Sequence, residues 1–358
     1  MKANASYFYH WMKSCQMPVS LARTISPTTM ITILPVGWLL YSGGSLPIET
    51  FITTIVLSLG IAGPLLAAMD FVDSLAKVGT IVGSVDAILN GAEQDHGETP
   101  AKFQGRDIQL SHVSFGYHAD KEVLHDVSLT IPAGRTVALV GPSGGGKSTL
   151  AYLMARYFDP QKGVVRIGGV DARQMDKETR MNTVSFVFQN SRLLKASILE
   201  NVRLGRPSAT REEVLRALDL AQCRDILDKL PQGMDTVIGA GGTYLSGGEQ
   251  QRIAIARVIL QDAPIVLMDE ATAFADPDNE SKVQAAFANL AQGKTVVMIA
   301  HRLSTVRNVD RIYVIRDGTV AEQGTYQDLM AQNGLFRQMW DNYQTAAQWK
   351  VAREEVQA

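Results

Sequence analysis

The run GPSGGGKST, from Gly141 to Thr149, lies between the apolar stretch TVALV (Thr136 to Val140) and the helical stretch LAYLMARY. A glycine-rich turn between a strand and a helix places a phosphate-binding loop at the edge of an α/β sheet, which narrows the possible folds sharply. Gly141, Gly144, Gly145 and Gly146, with Pro142 and Ser143, let the backbone turn its N–H groups inward. There they and the following helix N-terminus can cradle polyphosphate oxygens. Lys147 is placed to reach the β and γ phosphates and Ser148 to hold Mg²⁺, with Thr149 closing the motif. The bland alternative, a flexible turn with a solvated lysine, does not account for the strand before it and the helix after it. A nucleotide is the first ligand to consider.

A second run, LSGGEQQR (Leu245 to Arg252), sets Ser246, Gly247 and Gly248 at the start of a predicted helix whose Ile253, Ala256 and Leu260 share one face. By itself SGGE reads as a serine cap followed by two flexible residues; as a helix N-terminus it is also receptive to anions. The apolar run from Ile265 to Met268 reads as a fully buried parallel strand that delivers Asp269 and Glu270 at its carboxyl end. Asp269 is placed to hold the hydration shell of Mg²⁺, and Glu270 to polarise an attacking water. A further strand, TVVMIA, ends at His301, which could position a γ-phosphate.

Together GPSGGGKST, Gln189 at the end of VSFVFQ, LSGGEQQR, VLMDEAT, Asp276 and His301 resemble, in order and spacing, the nucleotide-binding domain of ATP-binding cassette (ABC) transporters, over roughly Ile108 to Met339. The resemblance implies an α/β P-loop NTPase cassette with a RecA-like core, an antiparallel β subdomain and a helical subdomain, hydrolysing ATP with Mg²⁺. It implies that Tyr117, in VSFGY, stacks on adenine, and that Gln189 joins the Mg²⁺ site and couples it to a membrane domain. Ser246 to Gly248 would contact the γ-phosphate of ATP held by a second half-transporter chain, identical or different, and Asp276 would lie in the loop crossing that interface. Three positions depart from the commonest family pattern. Gly145 replaces a frequent serine, expected to be harmless. Ala240 stands where exporter-type members carry glutamate, which puts one contact to a coupling helix in doubt. Phe274, within ATAFADPDNE, resembles the subgroup that imports siderophore-metal complexes.

The 358 residues exceed one typical domain, and a mean hydropathy near zero averages an apolar beginning with an ordinary remainder. No residue is charged from Thr24 to Ile48 or from Thr50 to Met69. Each stretch can supply a helix of about 18 to 20 residues, enough to cross a bilayer. With the turn SGGSLP between them they read as an all-α transmembrane hairpin, with helices at about 24–41 and 50–72; buried soluble helices interrupted by Pro35 and Pro64 are the alternative. Lys2, Lys13 and Arg23 before the first span and Lys77 after the second predict that both termini and the cassette are cytoplasmic, at a bacterial inner membrane. Val78, Ile81, Val82, Val85, Ile88 and Leu89 keep helical spacing beyond the second span. The expected layout is a partial membrane domain (1–90), a polar linker (91–105), the cassette (106–345) and a tail (346–358).

A net charge of −2 gives no case for nucleic acid, and Cys15 and Cys223 suggest neither a disulfide framework nor a metal site. The half-transporters it resembles carry a longer run of membrane helices, of which these two look like the last pair. The chain thus reads as the C-terminal part of one, through a truncated frame, an isolated fragment or a misplaced start, with a separately encoded partner as a further alternative. Drug or lipid export would use the same mechanism. A soluble cassette ATPase of DNA repair or translation would lack the hairpin, and a remnant that binds and hydrolyses ATP would move no cargo.

Overall fold

The computed structural model describes residues 31–91, 94–97, 105–118, 120–189, 192–239, 243–269, 277–300 and 302–345, with the side chains at 59, 61–70, 72, 73, 76 and 277 excepted. The chain divides into two compact units, 1–94 and 95–358. In chain order the strands of the second unit are β1 (Ile108–Phe115), β2 (Leu124–Ile131), β3 (Thr136–Val140), β4 (Lys162–Ile167), β5 (Val170–Asp171) and β6 (Val184–Val187). They are followed by β7 (Ala196–Ser197), β8 (Val237–Ile238), β9 (Ile265–Asp269), β10 (Thr295–Ile299), β11 (Arg311–Arg316) and β12 (Thr319–Gly324).

Six of these strands form one sheet in the order β12-β11-β3-β10-β9-β6. Neighbours run parallel except β12, which returns antiparallel to β11. A separate antiparallel sheet has the order β2-β1-β4-β5. The continuous apolar run at 265–269 is a strand with every residue buried, flanked by β10 and β6, as expected of a strand with no solvent face.

Because successive side chains point to opposite faces of a strand, β9 feeds two cores. Ile265 and Leu267 pack with Leu139, Leu150 and Leu153, under the helix Lys147–Met154. Val266 and Met268 pack with Ile253, Ala256 and Leu260, the face expected of the helix Gly247–Gln261. The two helices therefore occupy opposite faces of the sheet.

Three helix starts in this second core are fixed by reciprocal caps. Ser197 with Glu200, Thr210 with Glu213 and Ser246 with Glu249 each form a capping box. Each satisfies two backbone N–H groups that a helix leaves without partners, worth about 1 kcal/mol apiece.

In the first unit, residues 31–42 are helical and a turn leads to the helix Ile48–Leu89. Gly44, at φ 76°, makes the turn at SGGSLP. Tyr41 stacks on Phe51 at 6.4 Å. The backbone stays helical through Pro64 and on to Leu89. The expected membrane crossing is a different matter: among the described residues no helix is long and apolar enough to cross a membrane. Residues 24–30 of the first expected span lie outside the described residues. In the second, the described side chains include Thr53, Thr54 and Ser58, whose hydroxyls donate to carbonyls one turn back, which dilutes the apolar run.

Cys223 is buried beneath the second core, where burial pushes its thiol up to about 12. From the ordinary 9.0 this reduces the thiolate fraction by about a thousandfold. In a Cys15→Ser background, a disulfide reagent at pH 8 is expected to leave native protein essentially unlabelled and to label it promptly in urea. Rapid labelling of the native chain would show that this core is open.

Candidate functional site

The loop after β3 turns with positive φ at Gly141, Gly144 and Gly146. A Cβ at Gly141 would stand 2.0 Å from the Ile315 carbonyl oxygen, and one at Gly146 would stand 2.7 Å from Leu124 Cδ2. Backbone conformation and space both require glycine at these two positions. Gly145 is also constrained, since a Cβ would meet the Ile315 and Pro142 carbonyl oxygens at 3.0 and 3.2 Å. A serine at 145, expected to be harmless, fits here if these carbonyls give by a few tenths of an ångström, and Gly145 itself has no positive φ.

The helix Lys147–Met154 begins without a side-chain cap, so its first N–H groups face the loop as a ready anion site. Lys147 is nearly buried and its Nζ donates to the Gly141 and Pro142 carbonyls at 2.9 Å each. Burial lowers its pKa below the ordinary lysine value, an effect that the Asp269 carboxylate partly offsets. Asp269, buried at the carboxyl end of β9, has Oδ2 3.5 Å from Ser148 Oγ. That is long for a hydroxyl–carboxylate hydrogen bond. The two are hard oxygen donors of the kind that would hold a small divalent cation.

A cleft of about 300 Å³ lies along Ser143, Gly144 and residues Gly146 to Thr149. Tyr117 stands beside it, its hydroxyl 3.1 Å from Thr149 Oγ1. Its ring is 46% exposed and is held edge-on by Phe115 at 5.1 Å and Phe158 at 5.3 Å. Gln189 is exposed two residues beyond β6, the neighbour of β9.

The structure thus brings together Tyr117, the loop from Gly141 to Thr149 and Asp269. Ser246, Gly247 and Gly248 belong to the helix on the other face of the sheet, where Ser246 Oγ accepts from the Glu249 N–H at 3.3 Å and the Glu249 carboxylate accepts from the Ser246 N–H at 2.9 Å. Both readings of SGGE are compatible with this cap. Glu270, Asp276 and His301 lie outside the described residues, as do Ala240 and Phe274. The strands leading to Glu270 and His301, β9 and β10, run side by side and parallel.

One residue of consequence was passed over in the sequence, although it closes LSGGEQQR. Arg252 is fully buried. It donates to Asp225 at 2.7 and 3.3 Å, to the Gln222 carbonyl, and to Asn279 Oδ1 at 3.2 Å. The available signal was a charge adjoining a helix face expected to be apolar.

Comparison with known proteins supplies the relatives of this arrangement. A family model described as ABC transporter matches residues 124–273. The β-(1→2)glucan export ATP-binding/permease protein NdvA of Rhizobium etli is 39% identical over 325 residues, covering 88% of this chain and 54% of its own. The mycobactin import ATP-binding/permease protein IrtA of Mycobacterium tuberculosis is 45% identical over 248 residues, 69% of this chain and 28% of its own. The solved structure of a bacterial Atm1-family ABC exporter with ATP bound superposes with a TM-score of 0.68 at 33% identity, covering 95% of this chain and 61% of that one. The chain spans about half the length of the glucan-exporter relative.

If Ser148 and Asp269 share a cation, Ser148→Ala and Asp269→Asn should each raise the Mg²⁺ concentration needed for half-maximal hydrolysis by about tenfold or more. Nucleotide binding in EDTA should change little. Unaltered Mg²⁺ dependence in both variants would contradict the assignment.

Proposed function

This chain belongs to the ABC transporter family, and from that premise we propose that it is the ATP-hydrolysing subunit of a membrane transporter, acting as one of two cassettes that share their nucleotides. The observation that carries the reading is the separation of the glycine-rich loop and the helix start at Ser246 to Gly248 onto opposite faces of one sheet. A single chain cannot close both on one nucleotide. A second cassette, from an identical or a different chain, can supply the missing one.

In this reading the loop from Gly141 to Gly146 cradles the phosphates, Lys147 neutralises the β and γ groups, and Tyr117 stacks on adenine. Ser148, Gln189 and, through water, Asp269 would hold Mg²⁺, which would screen phosphate charge. Glu270 takes a proton from the attacking water and His301 orients the γ-phosphate. Ser246 to Gly248 reach the nucleotide on the second cassette, and Asp276 crosses between the two.

The helical first unit supports a membrane-facing role, with the hairpin at the bilayer and the cassette on its cytoplasmic side. The layout of 1–90, 91–105, 106–345 and 346–358 follows that division. Different observations support two cargo classes. Phe274 and the 45% identity to a mycobactin importer favour uptake of siderophore-metal complexes. The longer match to a glucan exporter favours export.

Glu270→Gln keeps shape and hydrogen bonding but cannot accept the proton, so phosphate release should fall by about 10² to 10⁴. ATP binding should persist, whereas Lys147→Ala should weaken binding itself. Phosphate release at the normal rate from Glu270→Gln would remove it as the base. The full chain, expressed in bacteria, should sediment with membranes and resist carbonate extraction; recovery in the soluble fraction would overturn the membrane placement.

A further inference from the structure

The helix Pro277–Ala291 follows directly on Asp276, and two adjacent residues in its first turn bond in different directions. Asn279 accepts from Arg252 Nη2 at 3.2 Å. It also lies against the signature run itself, since a Cβ on Gly248 would come within 3.3 Å of Asn279 Cβ. Glu280 accepts from Nη1 of Arg302, the residue after His301. Lys282 donates to Asp225 at 3.0 Å and to Asp278 at 2.8 Å, so Asp225 grips Arg252 and Lys282 together. Burial works against charge on Asp225, but hydrogen bonds from Arg252 and Lys282 hold its carboxyl below the usual range.

These bonds make the helix start a rigid piece between two parts of the site. Consecutive residues of a helix cannot move independently, and consecutive Cα atoms are about 3.8 Å apart. A displacement of His301 is therefore carried to Arg302, and through its charge-assisted bond to Glu280. Asn279 moves with Glu280, and Arg252 and Gly248 with Asn279.

We propose that Asn279 and Glu280 form a relay that makes the position of Ser246 to Gly248 depend on the phosphate held at the chain's own loop. The relay rests on the reading that His301 faces that phosphate while the signature run faces the nucleotide of a second cassette. Hydrolysis at one site then prepares or releases the other. By linkage the coupling runs both ways. Asn279 and Glu280 act through other residues and are positioning residues.

The test uses the full chain and four readouts: ATP affinity with a fluorescent analogue, the maximal hydrolysis rate, the Hill coefficient for ATP, and Tm. Glu280→Gln and Asn279→Ala should each leave affinity within about twofold; Glu280→Gln should leave Tm nearly unchanged, whereas Asn279→Ala, which takes an acceptor from the buried Arg252, should lower it by a few degrees. Each should lower maximal hydrolysis by roughly tenfold and bring the Hill coefficient to one. Because both interrupt one path, the double variant should lose no more than either single one. Exchanging the charges, Glu280→Arg with Arg302→Glu, should restore cooperativity. Unchanged rate and cooperativity, losses that multiply in the double variant, a lowered Tm with cooperativity intact, or failure of the charge exchange to restore cooperativity would each overturn the relay. A wild-type chain that hydrolyses ATP without cooperativity overturns it too. A wild-type chain without hydrolysis would instead remove the shared-site reading, and the relay with it.

Discussion

Strand β9 has no solvent face, and the cassette is organised around that constraint. A strand buried on both sides must feed two cores with alternate residues, so Ile265 and Leu267 serve one helix layer while Val266 and Met268 serve the other. The phosphate loop grows from one layer and the LSGGEQQR helix from the other. The same strand ends at Asp269, whose carboxylate reaches Ser148 at the foot of the phosphate loop. One strand therefore positions an acidic group and sets two helix N-termini on opposite faces of the sheet.

The second constraint is electrostatic. Removing the Arg252 guanidinium from water costs several kcal/mol and is tolerable only if its donors find partners. Asp225, Asn279 and the Gln222 carbonyl supply them for the two terminal nitrogens, and they belong to two separate segments, 222–225 and the helix Pro277–Ala291. Burial of one charge thus ties the signature helix to the helices beside it. An apolar residue of similar volume could fill the space, but it would not fix the angle at which Ser246 to Gly248 are presented.

What could be read from sequence follows from what is local. The bounds of β3, the burial of 265–269, the buried face at Ile253, Ala256 and Leu260, and the serine cap at 246 all come from periodicity or from contacts within a few residues. The pairings Arg252–Asp225 and Arg302–Glu280 span 27 and 22 residues; no local pattern encodes them. The contact of Tyr117 with Thr149 is also long-range, and only family resemblance drew attention to Tyr117. The restriction at Gly145 was hidden for a similar reason, since it comes from a carbonyl on β11, far along the chain. Helical spacing is local too, and residues 31–42 and 48–89 of the apolar stretches near the start are helical. Crossing a membrane depends on a whole span, and the described residues do not supply one.

The central claim, that each nucleotide lies between the phosphate loop of one chain and the signature run of another, is tested most directly by complementation. Lys147→Ala and Ser246→Arg chains, each inactive alone, are mixed in varying ratio and ATP hydrolysis is measured. A shared site predicts activity that appears only in the mixture and peaks near equal proportions, where pairs with one intact loop facing one intact signature are commonest. A mixture that stays inactive at every ratio, although both chains fold and pair, would contradict it.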